Sequence, residues 1–213
     1  MKTLKKYYSL LLVAAISFGM ISCDNNDDNG TPTPPEEITT EVVWGEYTGN
    51  VLVSPLEKEE GNEDNKGTAV SAKIENDTIA FEDFPIKDIV LSIVNDEEAA
   101  DKIVEAVGKI SYKIGYKPAI TEQKDTVNLT LDPKPLELTI NIPAGNEGET
   151  STLLVKANVE AGGEDDNYSV ETNNIKFNFV VREVLIGIKD TEMTPVGNFT
   201  PSLFDFDMDK KTK

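Results

Sequence analysis

Apolar and polar residues alternate along most of the chain from residue 42 to residue 209. A period of two places every second side chain on the same face, which is typical of strands that bury one face. Turn residues separate the alternating runs at intervals of about ten residues, as expected between antiparallel strands. The pattern predicts a mainly β fold, either an antiparallel sandwich or a barrel-like sheet, in a single domain over residues 42–213. The apolar positions of the clearest runs are Val70, Ala72, Ile74, Ile79, Phe81, Tyr112, Ile114, Tyr116, Val127, Leu129, Leu131, Leu136, Leu138, Ile140, Ile142, Leu153, Val155, Ala157, Val159, Ile175, Phe177, Phe179 and Val181.

Two features near the start of the domain predict local geometry. Asn76 and Asp77 lie between two alternating runs and predict a tight two-residue hairpin turn. Gly45 and Gly49 interrupt the first run and predict a kink or a bulge in the opening strand.

Two further features lie towards the C-terminus. The alternation slips by one position at Arg182-Glu183, which predicts a bulge or a strand break. In the last run, apolar residues alternate with aspartates, which predicts an edge strand with its charges facing outward. The aspartates are also the most regular candidates for the paired carboxylates of a glycoside hydrolase, although a solvated edge explains them better. They are Asp205, Asp207 and Asp209, opposed to Phe204, Phe206 and Met208.

The period changes to that of a helix after the first hairpin. Apolar residues at helical spacing predict one short helix, and a second one follows directly. We expect Asn95 to cap the second helix, Ile103, Ala106 and Val107 to form its buried face, and Gly108 to end it. The stripe of the first helix is Ile86, Ile89, Val90, Ile93 and Val94.

The N-terminal segment, residues 1–22, predicts a secretory signal peptide. Three lysines precede an apolar run over residues 10–16, which is far shorter than the roughly 20 apolar residues that a spanning helix needs. The single cysteine of the chain, Cys23, follows in a sequence that resembles the lipobox of bacterial lipoproteins. The resemblance implies that Cys23 is lipidated and anchors the mature protein to the membrane.

Residues 23–41 predict an acidic, flexible tether between anchor and domain. The stretch after Cys23 has three prolines, no basic residue and almost no apolar surface to bury. Its acidic start resembles the export signals of Bacteroides-type surface lipoproteins, which implies a surface-exposed position on the outer membrane. A calcium-binding loop over residues 25–36 is disfavoured, since its first ligand position is Asn and no helical pattern flanks it.

Composition excludes several kinds of chemistry. The 213 residues include 20 Lys and Arg, 39 Asp and Glu and no His, for a net charge of −19. Removal of the three lysines in residues 1–22 leaves 17 basic against 39 acidic residues, a net charge of −22. This charge argues against nucleic acid as a partner. Without His there is no Ser-His-Asp triad and no His-dependent zinc or iron site, and phosphate-binding glycine motifs are missing. We therefore expect no enzyme activity, cofactor or metal.

Four aromatic residues are candidates for ligand binding. Trp44 and Tyr47 could form an aromatic platform for a sugar. Tyr112 and Tyr116 share one face of a predicted strand. A place in the core is the more common role for each of them.

Two threonines are candidates for modification. Thr78 and Thr126 each follow an Asp and precede an aliphatic residue. This pattern resembles the short O-glycosylation pattern of exported proteins in the same bacterial group.

The opening strand carries a family resemblance. Residues 43–49, V-W-G-E-Y-T-G, follow the pattern V-x-G-x-Y-x-G. With the lipobox and the acidic tether, they resemble an uncharacterised family of Bacteroides-type lipoproteins that carries only a label of unknown function. The opening strand and residues 76–85 are also similar to calycin-like barrel lipoproteins. The resemblance assigns no catalytic residues.

These observations lead to three hypotheses about function. The first is a non-enzymatic cell-envelope lipoprotein that acts as a binding or accessory module for a glycan, a peptide or another envelope protein. The second is a barrel that encloses a small hydrophobic ligand. The third is a hydrolase that uses carboxylates alone, which requires two acids with raised or split pKa values facing one cleft. The oligomeric state is left open.

Overall fold

The structure, a computed structural model, describes residues 37–56, 67–143, 150–163, 165–188, 191–197 and 199–212, without the side chains of 141–143 and 150. Described strands pair antiparallel throughout, and two helices follow the first hairpin, as predicted. The strands are β1 (Gly45–Pro55), β2 (Thr68–Glu75), β3 (Thr78–Phe81), β4 (Tyr112–Ile120), β5 (Thr126–Pro133), β6 (Leu136–Pro143), β7 (Thr150–Ala161), β8 (Asn167–Ser169), β9 (Asn174–Ile188), β10 (Thr194–Pro195) and β11 (Ser202–Lys210). A 3₁₀ turn at Thr40–Val43 precedes β1, and the helices are α1 (Lys87–Val94) and α2 (Glu97–Val107).

Eight strands close into a barrel, in the order β1, β2, β3, β4, β5, β8, β9 and β11. The ring closes because β11 pairs with β1 on one side and with β9 on the other, so that Phe206 lies opposite both Val51 and Phe177. The prediction of an edge strand at residues 204–209 is therefore wrong, although its aspartates do face outward. Alternation reports which face of a strand is buried and carries no information about whether its edges are paired.

The long strand β9 belongs to two parts of the sheet. Asn158 of β7 lies opposite Glu183 and Val159 lies opposite Val181, which leaves Arg182 without a partner in β7. This bulge confirms the slip predicted at Arg182-Glu183. Beyond it, β9 continues in pairing with β7 and β10, and β6 adds to the far side of β7.

The opening strand contains no bulge. β1 pairs with β2 and β11 without a shift in register, so of the kink or bulge predicted at Gly45 and Gly49 the bulge is wrong. Gly49 lies opposite Met208, where a Cβ atom would overlap the carbonyl oxygen of Asp207. Glycine is required there because the two backbones approach each other closely.

The hairpin between β2 and β3 has the predicted two-residue turn. Asn76 and Asp77 have φ values of 49° and 55°. Positive φ at both central residues is the geometry of a type I′ turn, and Asn and Asp tolerate it better than most residues. The turn sets the register in which Glu75 faces Thr78.

The two helices are present, with one correction at their junction. Asn95 ends α1 in a left-handed conformation, and its N–H donates to the carbonyl of Leu91 at 2.8 Å. The cap of α2 is Asp96, whose Oδ1 accepts the N–H of Ala99 at 2.7 Å. The prediction that Asn95 caps α2 is therefore wrong by one residue, because a residue that closes one helix in a left-handed conformation cannot have the extended backbone of an N-cap.

The buried face of α2 also differs from the prediction. Its apolar stripe is Ala100, Ile103, Val104 and Val107, which follow the spacing i, i+3, i+4, i+7 and contact the core, whereas Ala106 is exposed. Gly108 ends the helix with a φ of 70°. No helix within the described ranges is long and apolar enough to span a bilayer.

Aromatic rings fill the interior of the barrel. Phe177 stacks on Phe206 with 4.6 Å between ring centroids, and Phe179 stacks on Phe204 at 5.2 Å. Phe84, which leads towards α1, lies 6.0 Å from Phe204. Each of these rings is at most 2% exposed. A hydrophobic ligand inside the barrel would have to separate these rings, and this counts against the second hypothesis.

Candidate functional site

Several predicted features lie outside the described residues. They are the signal peptide over residues 1–22, the lipidation site Cys23 and most of the tether. The described chain starts at Glu37 and reaches the barrel through the 3₁₀ turn.

Tyr47 lies in the core and does not form a platform with Trp44. Its side chain is fully buried, and its hydroxyl donates a hydrogen bond to the carbonyl of Val43 at 2.6 Å. Its ring meets that of Tyr168 edge-on, with 6.5 Å between the centroids. Burial raises the pKa of the Tyr47 hydroxyl well above its ordinary value.

Tyr112 and Tyr116 share the inner face of β4, as the alternation predicts, and both are buried. The Tyr112 hydroxyl donates to the carbonyl of Lys134 at 2.6 Å, and burial raises its pKa. Among the described residues, the Tyr116 hydroxyl has no hydrogen-bond partner of ordinary geometry. Burial, together with the charge of Asp77, raises the pKa of Tyr116 to about 12, and the nearby side chain of Trp44 offsets part of that rise. Neither tyrosine is available to a ligand on the surface.

Trp44 is the one of the four aromatic candidates that reaches the surface. It follows the 3₁₀ turn, its N–H donates to the carbonyl of Glu41 at 2.9 Å, and its side chain is half-buried. The indole lines an open depression of about 820 Å³ at the end of the barrel where β1 begins, called here the Trp44 depression. Its polar lining residues are Glu46, Lys73, Glu75, Asn173, Lys210, Lys211 and Thr212.

Ion pairs surround the Trp44 depression. Lys73 contacts Glu75 at 2.8 Å, and this bond raises the pKa of the ammonium group. Lys211 contacts Glu46 at 3.4 Å. The side chains are more than 45% exposed, so these pairs add little to stability and remain accessible to hydrogen-bond with a ligand.

Lys210 forms the floor of the Trp44 depression towards the core. Its Nζ donates to the carbonyl of Val42 at 2.6 Å and lies 5.8 Å from the centre of the Tyr168 ring. Burial lowers the pKa of this ammonium group. The contact ties the C-terminal strand to the segment that enters the barrel.

The arrangement combines one apolar aromatic surface with carboxylate, amide and ammonium groups. Such a combination suits a ligand with an apolar face and several hydroxyl groups, and a sugar has both. Lys73, Glu75, Asn173 and Lys210 had no signal in the sequence, because they come from β2, the turn before β9 and β11.

A second depression, of about 710 Å³, lies on the outer surface of β1, β2 and β3. Small side chains such as Thr48, Ser71 and Ala80 line it, with Lys109 and Glu82 at its margin. Its described lining contains no large aromatic side chain to stack on a ligand.

Thr78 and Thr126 occupy equivalent places at the same end of the barrel. Each is half-buried and is the first residue of a strand that follows a turn. The Thr78 Oγ1 donates to the carbonyl of Asn76 at 3.3 Å, and the carbonyl of Thr126 accepts the Thr121 hydroxyl at 3.1 Å.

Two of the described features bear on the carboxylate pair of the third hypothesis. Asp207 accepts hydrogen bonds from Asn174 and Lys176, which lower its pKa, and the general acid of a glycosidase needs a raised one. Burial raises the pKa of Asp88 and of Asp166, but these residues lie on different elements and neither perturbs the other.

Asp166 has a buried side chain, which no pattern in the sequence predicted. It is 2% exposed, its Oδ1 accepts the N–H of Asn178 at 2.8 Å, and its carbonyl accepts the N–H of Leu129 at 2.8 Å. Through these two hydrogen bonds, Asp166 links β5 to β9 immediately before the start of β8. Its role is structural.

Comparison with known proteins gives one match. Residues 42–186 match the model of a family described as "Domain of unknown function (DUF4840)". No curated protein and no solved structure matches the chain.

Proposed function

Since this chain belongs to the DUF4840 family, a domain of unknown function, its role must be inferred from its own residues, and we propose a non-enzymatic binding module of the bacterial cell envelope. The module binds a glycan in the Trp44 depression. It is anchored through lipid on Cys23 and faces outward from the outer membrane.

The single observation that carries this proposal is the half-buried indole of Trp44 in an open, polar depression. The aromatic face can stack on the apolar face of a sugar ring, while Glu75, Asn173 and Lys73 line the same depression and carry groups that can bond its hydroxyl groups. An aromatic ring loses little conformational entropy on binding, which favours its use as an anchor.

Trp44 is the only tryptophan of the chain, so its fluorescence reports on this depression alone. We expect one or more members of a panel of neutral and uronic-acid-containing oligosaccharides to shift its emission. Calorimetry should then show that Trp44→Ala weakens binding at least about tenfold, which corresponds to about 1.4 kcal/mol.

Ser71→Ala is the matched control, because Ser71 lines only the second depression. It should leave the affinity unchanged. A panel that never alters the emission of Trp44, or binding that survives Trp44→Ala, would contradict the proposed glycan site.

The anchor is tested separately. Labelled fatty acid should enter the wild-type chain and the Ser22→Ala variant, which keeps a small residue before the cysteine, and should be absent from Cys23→Ala. Protease added to intact cells should degrade the domain if it faces outward. Labelling that persists in Cys23→Ala would exclude this anchor.

O-glycosylation of Thr78 and Thr126 is part of the same proposal. The intact mass of protein from a native host should exceed the mass of the chain by a whole glycan at each site. Thr78→Ala and Thr126→Ala should each remove one increment, while Thr130→Ala, which does not follow an Asp, should remove none. A mass equal to that of the unmodified chain would refute the modification.

A further inference from the structure

β6 is the outermost strand on its side of the sheet. Within the described residues, its backbone pairs with β7 and with no other strand. Leu136, Leu138 and Ile140 are buried, so its apolar face is already covered, and no strand of the described ranges pairs with its outer edge. Edge strands with free backbone groups pair readily with another strand unless charge, proline or a bulge prevents it.

Residues 136–142 of β6 contain no proline and no bulge, and Glu137 is their only charged residue. Seven residues, 136–142, separate Pro135 from Pro143, and they pair with β7 without a register shift. The prolines end the usable edge at both sides, because proline cannot donate to a ladder. The free edge is therefore a regular segment of defined length.

The edge is also nearly neutral in a strongly acidic protein. The net charge of the chain is −19, yet Glu137 is the only charged residue among residues 136–142. Lys156 of the neighbouring strand lies 3.6 Å from the Glu137 carboxylate and compensates its charge. Two acidic molecules repel each other over most of their surfaces, and this edge is a place where they can approach.

The sequence of the edge is complementary to itself. In an antiparallel pair of two β6 strands centred on Thr139, the two proline boundaries coincide and all seven residues between them have partners. Glu137 of one copy then lies opposite Asn141 of the other, so that no like charges face each other. The apolar positions also align, since Leu138 lies opposite Ile140.

We propose that two copies of this chain associate by antiparallel pairing of their β6 edges, with Thr139 on the two-fold axis. A symmetric contact of this kind closes at two subunits. It joins two sheets into one continuous sheet, and it is independent of the Trp44 depression. A contact made by one strand pair is small, so we expect a concentration-dependent dimer rather than an obligate one.

Disulfide trapping tests the pairing and its register. Antiparallel partners have Cα atoms about 4.5–5.5 Å apart, which lies within the range that a disulfide bridges. In the full chain carrying Cys23→Ala, the further change Thr139→Cys should give a covalent dimer under mild oxidation. Asn128→Cys provides the control, since this exposed residue is on β5, which is paired on both sides there.

Sedimentation velocity tests whether the edge drives association. The mass of the full chain should rise towards that of a dimer with concentration. Thr139→Lys places two positive charges opposite each other and should leave a folded monomer, whereas Asn128→Lys should still dimerise. Circular dichroism verifies that both variants fold.

Three results would overturn the proposal. The first is a full chain that stays monomeric at every concentration. The second is a dimer that persists in the Thr139→Lys variant. The third is cross-linking through Thr139→Cys that does not exceed that through Asn128→Cys.

Discussion

The buried tyrosines differ in whether their hydroxyl groups have an acceptor. Within the described residues, Tyr47, Tyr112 and Tyr168 each donate one hydrogen bond, to Val43, Lys134 and Asn173, respectively. The Tyr116 hydroxyl has none, although its ring is 4% exposed. A buried polar group without a partner lowers the free energy of unfolding, because it has lost its hydrogen bonds to water. A hydrogen bond within the protein compensates this loss. A buried tyrosine hydroxyl therefore stabilises the fold where it has an acceptor and destabilises it where it has none.

The first prediction compares two deletions of a hydroxyl group. Tyr116→Phe removes a hydroxyl group that donates to no acceptor among the described residues, and should leave the free energy of unfolding unchanged or raise it by up to about 1 kcal/mol. Tyr47→Phe breaks a bond of 2.6 Å and leaves the carbonyl of Val43 unpaired, so it should lower that free energy by about 1–2 kcal/mol. Urea unfolding measures both. Equal losses in the two variants would mean that the Tyr116 hydroxyl is bonded in solution.

The second prediction concerns Asp166 and pH. Burial raises the pKa of Asp166 from 3.8 to about 6, against the opposing effect of the Asn178 N–H and with a further rise from Asp165 and Asp205. Between these two pKa values the folded protein binds the proton more tightly than the unfolded chain does. Asp166 therefore lowers stability as the pH rises from about 4 to about 6, and the loss persists at neutral pH.

Asp166→Asn keeps the oxygen that accepts the Asn178 N–H and removes the charge. We expect it to be more stable than the wild type at pH 8 by about 1–3 kcal/mol, with the two proteins converging near pH 4. Glu105→Gln removes an exposed charge from α2 and serves as the control. The assignment fails if the difference between Asp166→Asn and the wild type is the same at pH 4 and pH 8.

At the scale of elements, turns and caps account for most local outcomes. The turn at Asn76-Asp77 and the bulge at Arg182 were predictable. A positive φ favours particular residue types, and an extra residue in a strand shifts the alternation of apolar and polar positions by one. The junction of the helices was displaced by one residue. Asn95 and Asp96 are both good capping residues, and only the packing of α1 against α2 decides which one closes the first helix and which opens the second.

The third prediction tests this junction. Asp96→Ala removes the acceptor of the Ala99 N–H and should lower the free energy of unfolding by about 0.5–2 kcal/mol. Asp96→Asn retains an acceptor at the same place and should have little effect. Denaturant titrations of both variants separate the cap from the charge. If Asp96→Asn loses as much as Asp96→Ala, the hydrogen bond is not the source of the stability.

At the scale of the whole molecule, the C-terminal strand decides the architecture. β11 pairs with β1 although the two strands are some 160 residues apart in the sequence, as Tyr47 opposite Lys210 illustrates. It also pairs with β9 and so removes two edges at once. Its inner face supplies Phe204 and Phe206 to the stack of rings in the barrel, while its outer face carries the aspartates.

The fourth prediction compares the two faces of β11. Phe206→Ala removes a ring stacked at 4.6 Å on Phe177 and should cost about 3–5 kcal/mol. Asp207→Ala removes an exposed carboxylate 2.9 Å from Lys176 and should cost less than about 1 kcal/mol. Chemical denaturation gives both values. Similar losses in the two variants would show that β11 does not close a packed interior.

The candidate site was only partly predictable. The sequence suggested Trp44, Tyr47, Tyr112 and Tyr116 as ligand-binding candidates, and the alternation already placed Tyr112 and Tyr116 on an inward face. The residues around Trp44 could not be found, since Lys73, Asn173 and Lys210 come together only when the barrel closes. Asp166 gave no signal because its burial results from its position between β5 and β9.

By itself, the sequence determined the longer strands, the helical pair, the bulge at Arg182 and the inward face of β11, because these depend on periodicity and on the backbone preferences of nearby residues. Only the tertiary structure decided that the sheet closes as a barrel, that β6 is left at an edge and that Trp44 reaches a depression. These outcomes depend on hydrogen bonds between residues far apart in the chain. A strand's own side chains indicate which face it buries, but its backbone can pair with any strand that meets it.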